Sequence, residues 1–228
     1  MNYNLNRFYH GLQELDINLS EDQIKQFLIY YEMLIEKNKV MNLTAITEFD
    51  EVVEKHFLDS LSLVEIADLH KSQKVLDLGT GAGFPGIPLK IMRPDIQLTL
   101  LDSLNKRLIF LQEVCDNIGI DAEIIHKRAE EGGRDKNLRE KYDIATSRAV
   151  ANMNTLSEYL MPFVKVKGKM VAMKGKNGAE ELENAKGAIK TLNGEIVKCD
   201  EFLLPNGDER TIIVVNKKSH TPMQYPRQ

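Results

Sequence analysis

The spacing of apolar positions changes near residue 73. Before it, Ile24, Phe27, Leu28, Tyr31, Leu34 and Ile35 recur at helical intervals. They follow Ser20 and Gln23, whose spacing is that of a capping box, so an amphipathic helix is predicted there. A further helix is predicted over 48–66. Beyond 73, short apolar runs alternate with helical patterns, and strands are predicted at 74–78, 97–101, 122–126, 142–147 and 168–173. That alternation predicts an α/β fold with a parallel, doubly wound sheet. Leu108, Leu111, Val114, Cys115 and Ile118 make one helical face between the second and third strands, and Gly119 stops it. The tail differs: 195–203 and 211–216 both read as strands around the turn residues Pro205, Asn206, Gly207 and Asp208, which predicts a hairpin. No repeat or low-complexity linker interrupts the chain. The organisation expected is a helical extension over 1–72 packed on a core over 73–228.

Chemistry concentrates in VLDLGTGAGFPG at 75–86, where an apolar run meets three alternating glycines. Glycine permits backbone angles closed to other residues and lets a ligand approach the main chain. Pro85 and Pro88 fall in the first turn of the helix that should follow, where a missing N–H costs little. Gly81, Gly83 and Gly86 satisfy G-x-G-x-x-G, a pattern shared with dinucleotide sites. The fuller D-x-G-x-G-x-G from Asp77 to Gly83 resembles motif I of the class I S-adenosylmethionine methyltransferases. Asp102 ends the second predicted strand, where a carboxylate can take both ribose hydroxyls of an adenosine-containing cofactor or cap the next helix. A hairpin after five parallel strands resembles the seven-stranded, Rossmann-like sheet of class I methyltransferases and departs from the six-stranded dinucleotide fold.

Composition narrows the context. The chain has 228 residues, 43% of them hydrophobic, and no run reaches the ~18 apolar residues of a membrane span. The N-terminus lacks the apolar run of a secretory signal, so a cytoplasmic location is expected. Cys115 and Cys199 are expected as buried free thiols, and no metal site is expected. The net charge of −4 is uneven: residues 1–72 hold 13 acids and 6 bases, the remainder 21 acids and 24 bases. Lys165, Lys167, Lys169, Lys174 and Lys176 lie in an acid-free stretch over 163–179, and nothing after Glu209 is acidic. Such local clusters can meet phosphates on an acidic protein, or serve as ordinary solvated strand ends.

Further blocks extend the motif along most of the chain: NLTAI at 42–46, HFLDSL at 56–61, DLGTGAGFPGIPL at 77–89, DSLNKRLIFL at 102–111, RAEE at 128–131, YDIATSRAV at 142–150, and YPR near the end. In order and coverage they resemble the RsmG, or glucose-inhibited division protein B, family of bacterial methyltransferases. The resemblance implies methyl transfer from S-adenosylmethionine to N7 of a guanine in 16S rRNA of the decoding region. The implied partner is 16S rRNA or the small ribosomal subunit, with no membrane and no stable protein partner evident. It further implies that Asp77, Gly79, Gly81, Gly83, Phe84, Asp102, Ala129, Glu130 and Arg148 serve the cofactor. Arg148 has a competing reading as a salt bridge that orders its loop. Arg128, Lys174, Lys176 and Arg210 are candidates for RNA phosphates.

The chemistry fits these residue types. Guanine N7 carries an in-plane lone pair and no proton, so no base is needed and no catalytic side chain is expected; orientation and electrostatics suffice. Exocyclic-amine enzymes carry Asn or Asp before Pro-Pro and an aromatic residue after the fourth strand, where this chain has Thr146, Ser147, Arg148 and Ala149. Neither cysteine follows proline as cytosine C5 chemistry commonly asks. His56 and Asp59 share a helix face, but a histidine beside Phe57 and Leu58 is read as a packing or hydrogen-bonding residue. Two other classes stay open at this point: a nicotinamide-dependent oxidoreductase and a non-catalytic RNA-binding or cofactor-sensing module.

Overall fold

The computed structural model describes residues 2–228. Helices α1 (Asn6–Glu14) and α2 (Glu21–Met41) open it. Ser20 begins α2 as predicted: its hydroxyl accepts from the Gln23 N–H, and the Gln23 side chain accepts from the Ser20 N–H. Two donors that a helix start leaves orphaned are thereby paired. The buried stripe is Ile24, Phe27, Tyr30, Tyr31 and Leu34, while Leu28 and Ile35 are half-buried. Tyr30 enters the interior because its hydroxyl finds a partner there, the Ala82 carbonyl.

The single helix predicted over 48–66 is instead a relay of short segments. These are α3 (Phe49–Val52), a π-helical turn (Val53–Leu58), α4 (Asp59–Leu61) and α5 (Leu63–Ile66). A π turn displaces backbone pairing, and here the Ser60 and Ser62 hydroxyls donate to the carbonyls of His56 and Asp59.

From residue 74 the expected alternation follows. Strand β1 (Lys74–Leu78) leads through α6 (Gly86–Met92) to β2 (Gln97–Asp102), and α7 (Asn105–Ile118) leads to β3 (Ala122–His126). Next come α8 (Ala129–Arg134), β4 (Tyr142–Arg148), α9 (Met153–Leu160), β5 (Val164–Lys174) and α10 (Gly178–Thr191). The hairpin of β6 (Gly194–Leu203) and β7 (Glu209–Lys217) closes the sequence of elements. Among the described residues seven strands form one sheet, ordered β3-β2-β1-β4-β5-β7-β6. The first five are mutually parallel and β7 runs antiparallel to β5 and β6. Strand β5 begins four residues before the predicted 168, and its pairing with β4 shifts register between Tyr142 and Ile144.

Alternating residues fill two cores, as a sheet covered on both faces requires. Val75, Ile144, Val171 and Ile212 meet the N-terminal helices through Phe8, Phe27 and Phe57. Leu76, Ala145, Met170 and Ile213 meet α9 and α10 on the opposite face. Cys115 is buried as expected, but Cys199 is exposed, because β6 is the sheet's edge and much of it faces solvent. The terminal YPR block is held rather than loose: Arg139 donates to the carbonyls of Thr221 and Tyr225, and Arg227 pairs with Glu158. Among the described residues no helix is long and apolar enough to cross a membrane.

Candidate functional site

At the carboxyl end of β1 the chain turns sharply. Gly79 stands at φ +66° and Gly83 at φ +104°, and a Cβ added to Gly79 would lie 2.5 Å from Cγ2 of Val150. Side chains are excluded there by backbone angle and by space together. Asp77, fully buried behind the turn, accepts at Oδ2 from the Thr80 hydroxyl (2.7 Å) and the Gly86 N–H (2.8 Å). Burial pushes its carboxyl up to about 7 against the pull of those two hydrogen bonds. Asp102 ends β2 and is 3% exposed. Its Oδ2 accepts from the Gly81 N–H (2.9 Å) and its Oδ1 from the Leu104 N–H (2.9 Å), so one carboxylate joins the glycine turn to the start of the next loop.

Beside the turn lies a hollow of about 340 Å³ whose lining includes Gly79, Asp102, Arg107, Ala129, Glu130 and Val150. It sits at the carboxyl ends of β1, β2 and β4, where ligands enter open α/β sheets. A larger hollow of about 630 Å³ opens near the opposite ends of the strands, along Lys74, Gln97 and Ala122.

A second hollow, of about 420 Å³, opens beyond the ends of β4 and β5 and the start of β7. Ala149 lines both it and the hollow by the glycines. Its back wall is an ion cluster. Asp59, 1% exposed, receives Arg148 Nη1 on Oδ2 (3.0 Å) and Arg210 Nε on Oδ1 (2.9 Å). Arg148 also donates through Nη1 to the Lys55 carbonyl and through Nη2 to His56 Nδ1 (3.0 Å). A guanidinium has no acceptor, so Nδ1 carries no proton, and Nε2–H donates to the Thr44 hydroxyl (2.9 Å). Burial, reinforced by the charge of Arg148, pushes the His56 imidazole down to about 3. The ring stacks on Phe84 at 4.5 Å, and the Arg148 guanidinium lies 5.1 Å from the same aromatic centroid.

The predicted residues therefore divide. Gly79, Asp102, Ala129 and Glu130 line the first hollow, and Gly81 is held beside it by Asp102. Asp77, Gly83 and Phe84 are buried behind the turn. Arg148 lines the second hollow in the salt bridge that was its competing reading. Of the RNA candidates, Arg128 and Lys176 are exposed, whereas Arg210 is half-buried on Asp59. Lys174 is buried, paired with Glu181 (2.8 Å) and donating to the Ala151 carbonyl. Sequence reasoning missed Thr44 and Glu181 and gave Asp59 no role. The NLTAI and HFLDSL blocks were the available signal for Thr44 and Asp59, and nothing local marked Glu181. Among the described residues no group of His, Cys, Asp or Glu is placed to hold a metal ion.

A family model described as rRNA small subunit methyltransferase G (GidB) matches residues 23–212. Similar proteins include the ribosomal RNA small subunit methyltransferase G of Alkaliphilus metalliredigens, 48% identical over 95% of this chain and 92% of that one. That of Lactobacillus johnsonii is 48% identical over 97% of this chain and 94% of its own. Among solved structures, the YcgJ protein of Bacillus subtilis overlaps with a TM-score of 0.56 at 12% identity, covering 72% of this chain and 100% of that one. TrmN from Thermus thermophilus gives 0.55 at 15% identity, covering 72% and 53%. At such identities the structural likeness speaks for the fold alone, here that of class I methyltransferases.

Proposed function

The chain belongs to the rRNA small subunit methyltransferase G family, and from that premise we propose that it moves a methyl group from S-adenosylmethionine to N7 of a guanine in small-subunit ribosomal RNA. The residues at the first hollow fit such a cofactor. Gly81 has open space beside its Cα, its nearest neighbour to an added Cβ being the Gly79 carbonyl at 4.0 Å, so a ligand can lie against the main chain. Asp102 keeps lone pairs beyond the two it gives to backbone N–H groups, enough to accept from ribose hydroxyls. Ala129 and Glu130 border the adenine side, where the Glu130 carboxylate, beside the Tyr159 hydroxyl, keeps lone pairs for an amine.

When bound, S-adenosylmethionine supplies an electrophilic methyl carbon on a sulfonium. The protein's own contribution is orientation and exclusion of water, worth several kcal/mol when reacting atoms are held in line. One observation carries the choice of a nucleophile that needs no deprotonation. His56, the histidine that lines the paired hollows, is neutral with both ring nitrogens engaged, by Arg148 and Thr44, so the imidazole, the commonest general base, has no lone pair to spare for a substrate proton. Guanine N7 asks for none. Exposed Arg128 and Lys176 are the residues we assign to RNA phosphates, whereas Arg210 at the rim of the second hollow is tied to Asp59.

The test is methyl transfer to ribosomal RNA or small subunits from cells that lack this protein, with N7-methylguanine mapped in the product. Transfer to a single guanine supports the reading. Its absence across a range of salt and magnesium, with S-adenosylmethionine bound by calorimetry, would remove it in favour of a module that senses the cofactor without catalysis. Binding of NAD in its place would favour an oxidoreductase.

A further inference from the structure

We propose that the hollow beyond Ala149 seats the target base and that Glu181 reads it as guanine, an inference that rests on the reaction proposed above. The first ground is position. Ala149 lines both hollows, so a base in the second lies one loop's thickness from the cofactor hollow, whereas the larger hollow at the other ends of the strands shares no wall with it. Met173 and Ile46 offer apolar surface for the faces of a purine.

The second ground is which polar atoms remain uncommitted. Glu181 Oε2 forms an ion pair with Lys174 Nζ (2.8 Å) and accepts from the Met153 N–H (3.0 Å), while Oε1 has no hydrogen-bond partner among the described residues. The side chain is 32% exposed and lines the hollow. Arg210 spends Nε on Asp59 and Nη1 on the Glu209 carbonyl, and its Nη2 stands 3.9 Å from Asp208, beyond hydrogen-bond reach. The hollow thus offers one free anionic acceptor and one free cationic donor. Guanine presents the complement: O6 accepts, while N1–H and N2–H donate. Adenine would turn an amine toward the guanidinium and a lone pair toward the carboxylate, leaving both protein groups unpaired. N7 takes no part in this recognition and stays open to the methyl.

Glu181→Gln keeps the shape but reverses the reading. Lys174 and the Met153 N–H both require the amide's single oxygen, so the NH2 group turns toward the hollow and opposes the donors of guanine. Wild type and Glu181→Gln are compared on small-subunit rRNA carrying guanosine or inosine, which lacks the N2 amine, at the target position. Wild type should lose about tenfold in kcat/KM on inosine, which keeps N1–H as a donor to Glu181 but lacks the N2–H that shares its free oxygen. Glu181→Gln should lose at least as much on guanosine, lose nothing further on inosine, and bind S-adenosylmethionine as wild type does. Lys174→Met removes the same ion pair but spares the carboxylate, so it should keep the wild-type guanosine to inosine ratio.

Equal use of both RNAs by wild type, an undiminished inosine penalty in Glu181→Gln, or a ratio that collapses in Lys174→Met would each overturn the inference. Weakened cofactor binding that accounts for the Glu181→Gln defect would do the same. A wild type inactive on guanosine RNA would instead count against the reaction itself.

Discussion

The two hollows that meet at Ala149 are built in opposite ways. By the glycines, the groups that shape the site are close in sequence: Asp77 reaches Thr80 and Gly86 over separations of 3 and 9 residues, and Asp102 reaches Gly81 over 21. Their partners are mostly backbone N–H groups, so almost any chain that makes this strand, turn and helix places them. In the second hollow Asp59 gathers Arg148 over 89 residues and Arg210 over 151, and the contacts run between side chains. The glycine turn of the first site is a property of one βα unit, and neighbouring strand ends complete the wall around it. The second exists only once the π turn, β4 and β7 have assembled, so it depends on tertiary folding and on buried charge. That contrast predicts where mutations act: stability should be lost in the ion cluster on the far side of Ala149 and cofactor affinity on the near side.

The largest test is Asp59→Ala, which leaves two guanidiniums partly buried without their anion. It should destabilise the protein by about 3–5 kcal/mol in urea unfolding, the cost of breaking a buried pair from one side. A loss within about 1 kcal/mol, the range of exposed ion pairs, would mean that the cluster is solvated and the contrast false.

Asp102→Ala should do the reverse. Cofactor affinity by calorimetry should fall by about 2–3 kcal/mol, the worth of hydrogen bonds to a charged group, with a smaller change in unfolding. Unaltered affinity would dissolve the near-side assignment.

Acid sharpens the comparison next. The His56 imidazole titrates near 3 when folded and near 6.5 when unfolded, so below pH 6.5 the unfolded chain binds the extra proton and stability falls as pH falls. Between pH 7 and pH 5 wild type should lose on the order of 2 kcal/mol more than His56→Gln does. Parallel pH profiles for the two would show that the ring is not held neutral.

Ser20→Ala supplies a control remote from both hollows: a loss of about 1 kcal/mol in stability from the missing helix cap, with methyl transfer unchanged at a temperature where the protein stays folded. The smallest effects belong to exposed cations. Arg128→Ala and Lys176→Ala should each weaken RNA binding modestly on every sequence and reduce the slope of log affinity against log salt by about 1. A slope that does not move would free these residues from phosphate contact.

Legibility followed the same division. The capping box at Ser20, the strand at Lys74–Leu78, the strand at Ala122–His126 and the terminal hairpin were all readable, because caps, short apolar runs and turn residues act through neighbours a few positions away. The relay over 49–66 was not. Apolar spacing predicts a helix there, and a π turn differs from an α turn only in pairing that Ser60 and Ser62 and the arriving Arg148 make tolerable. Cys199 misled although Lys198, Asp200 and Glu201 flank it: a strand-like segment reads as covered, whereas β6 ends the sheet and the charged flanks mark its solvent edge.

The sequence by itself determined the wound α/β sheet, the glycine turn and the carboxylate that faces it, since each follows from periodicity and from backbone angles that only particular residues accept. Tertiary structure alone decided that Lys174 would be buried against Glu181, that Arg148 and Arg210 would share Asp59, and that His56 would stay neutral. Charge states and pairings of that kind depend on which groups meet after water has left. Asp59 and its two arginines, 89 and 151 positions away, carry no mark of one another until the chain brings them together.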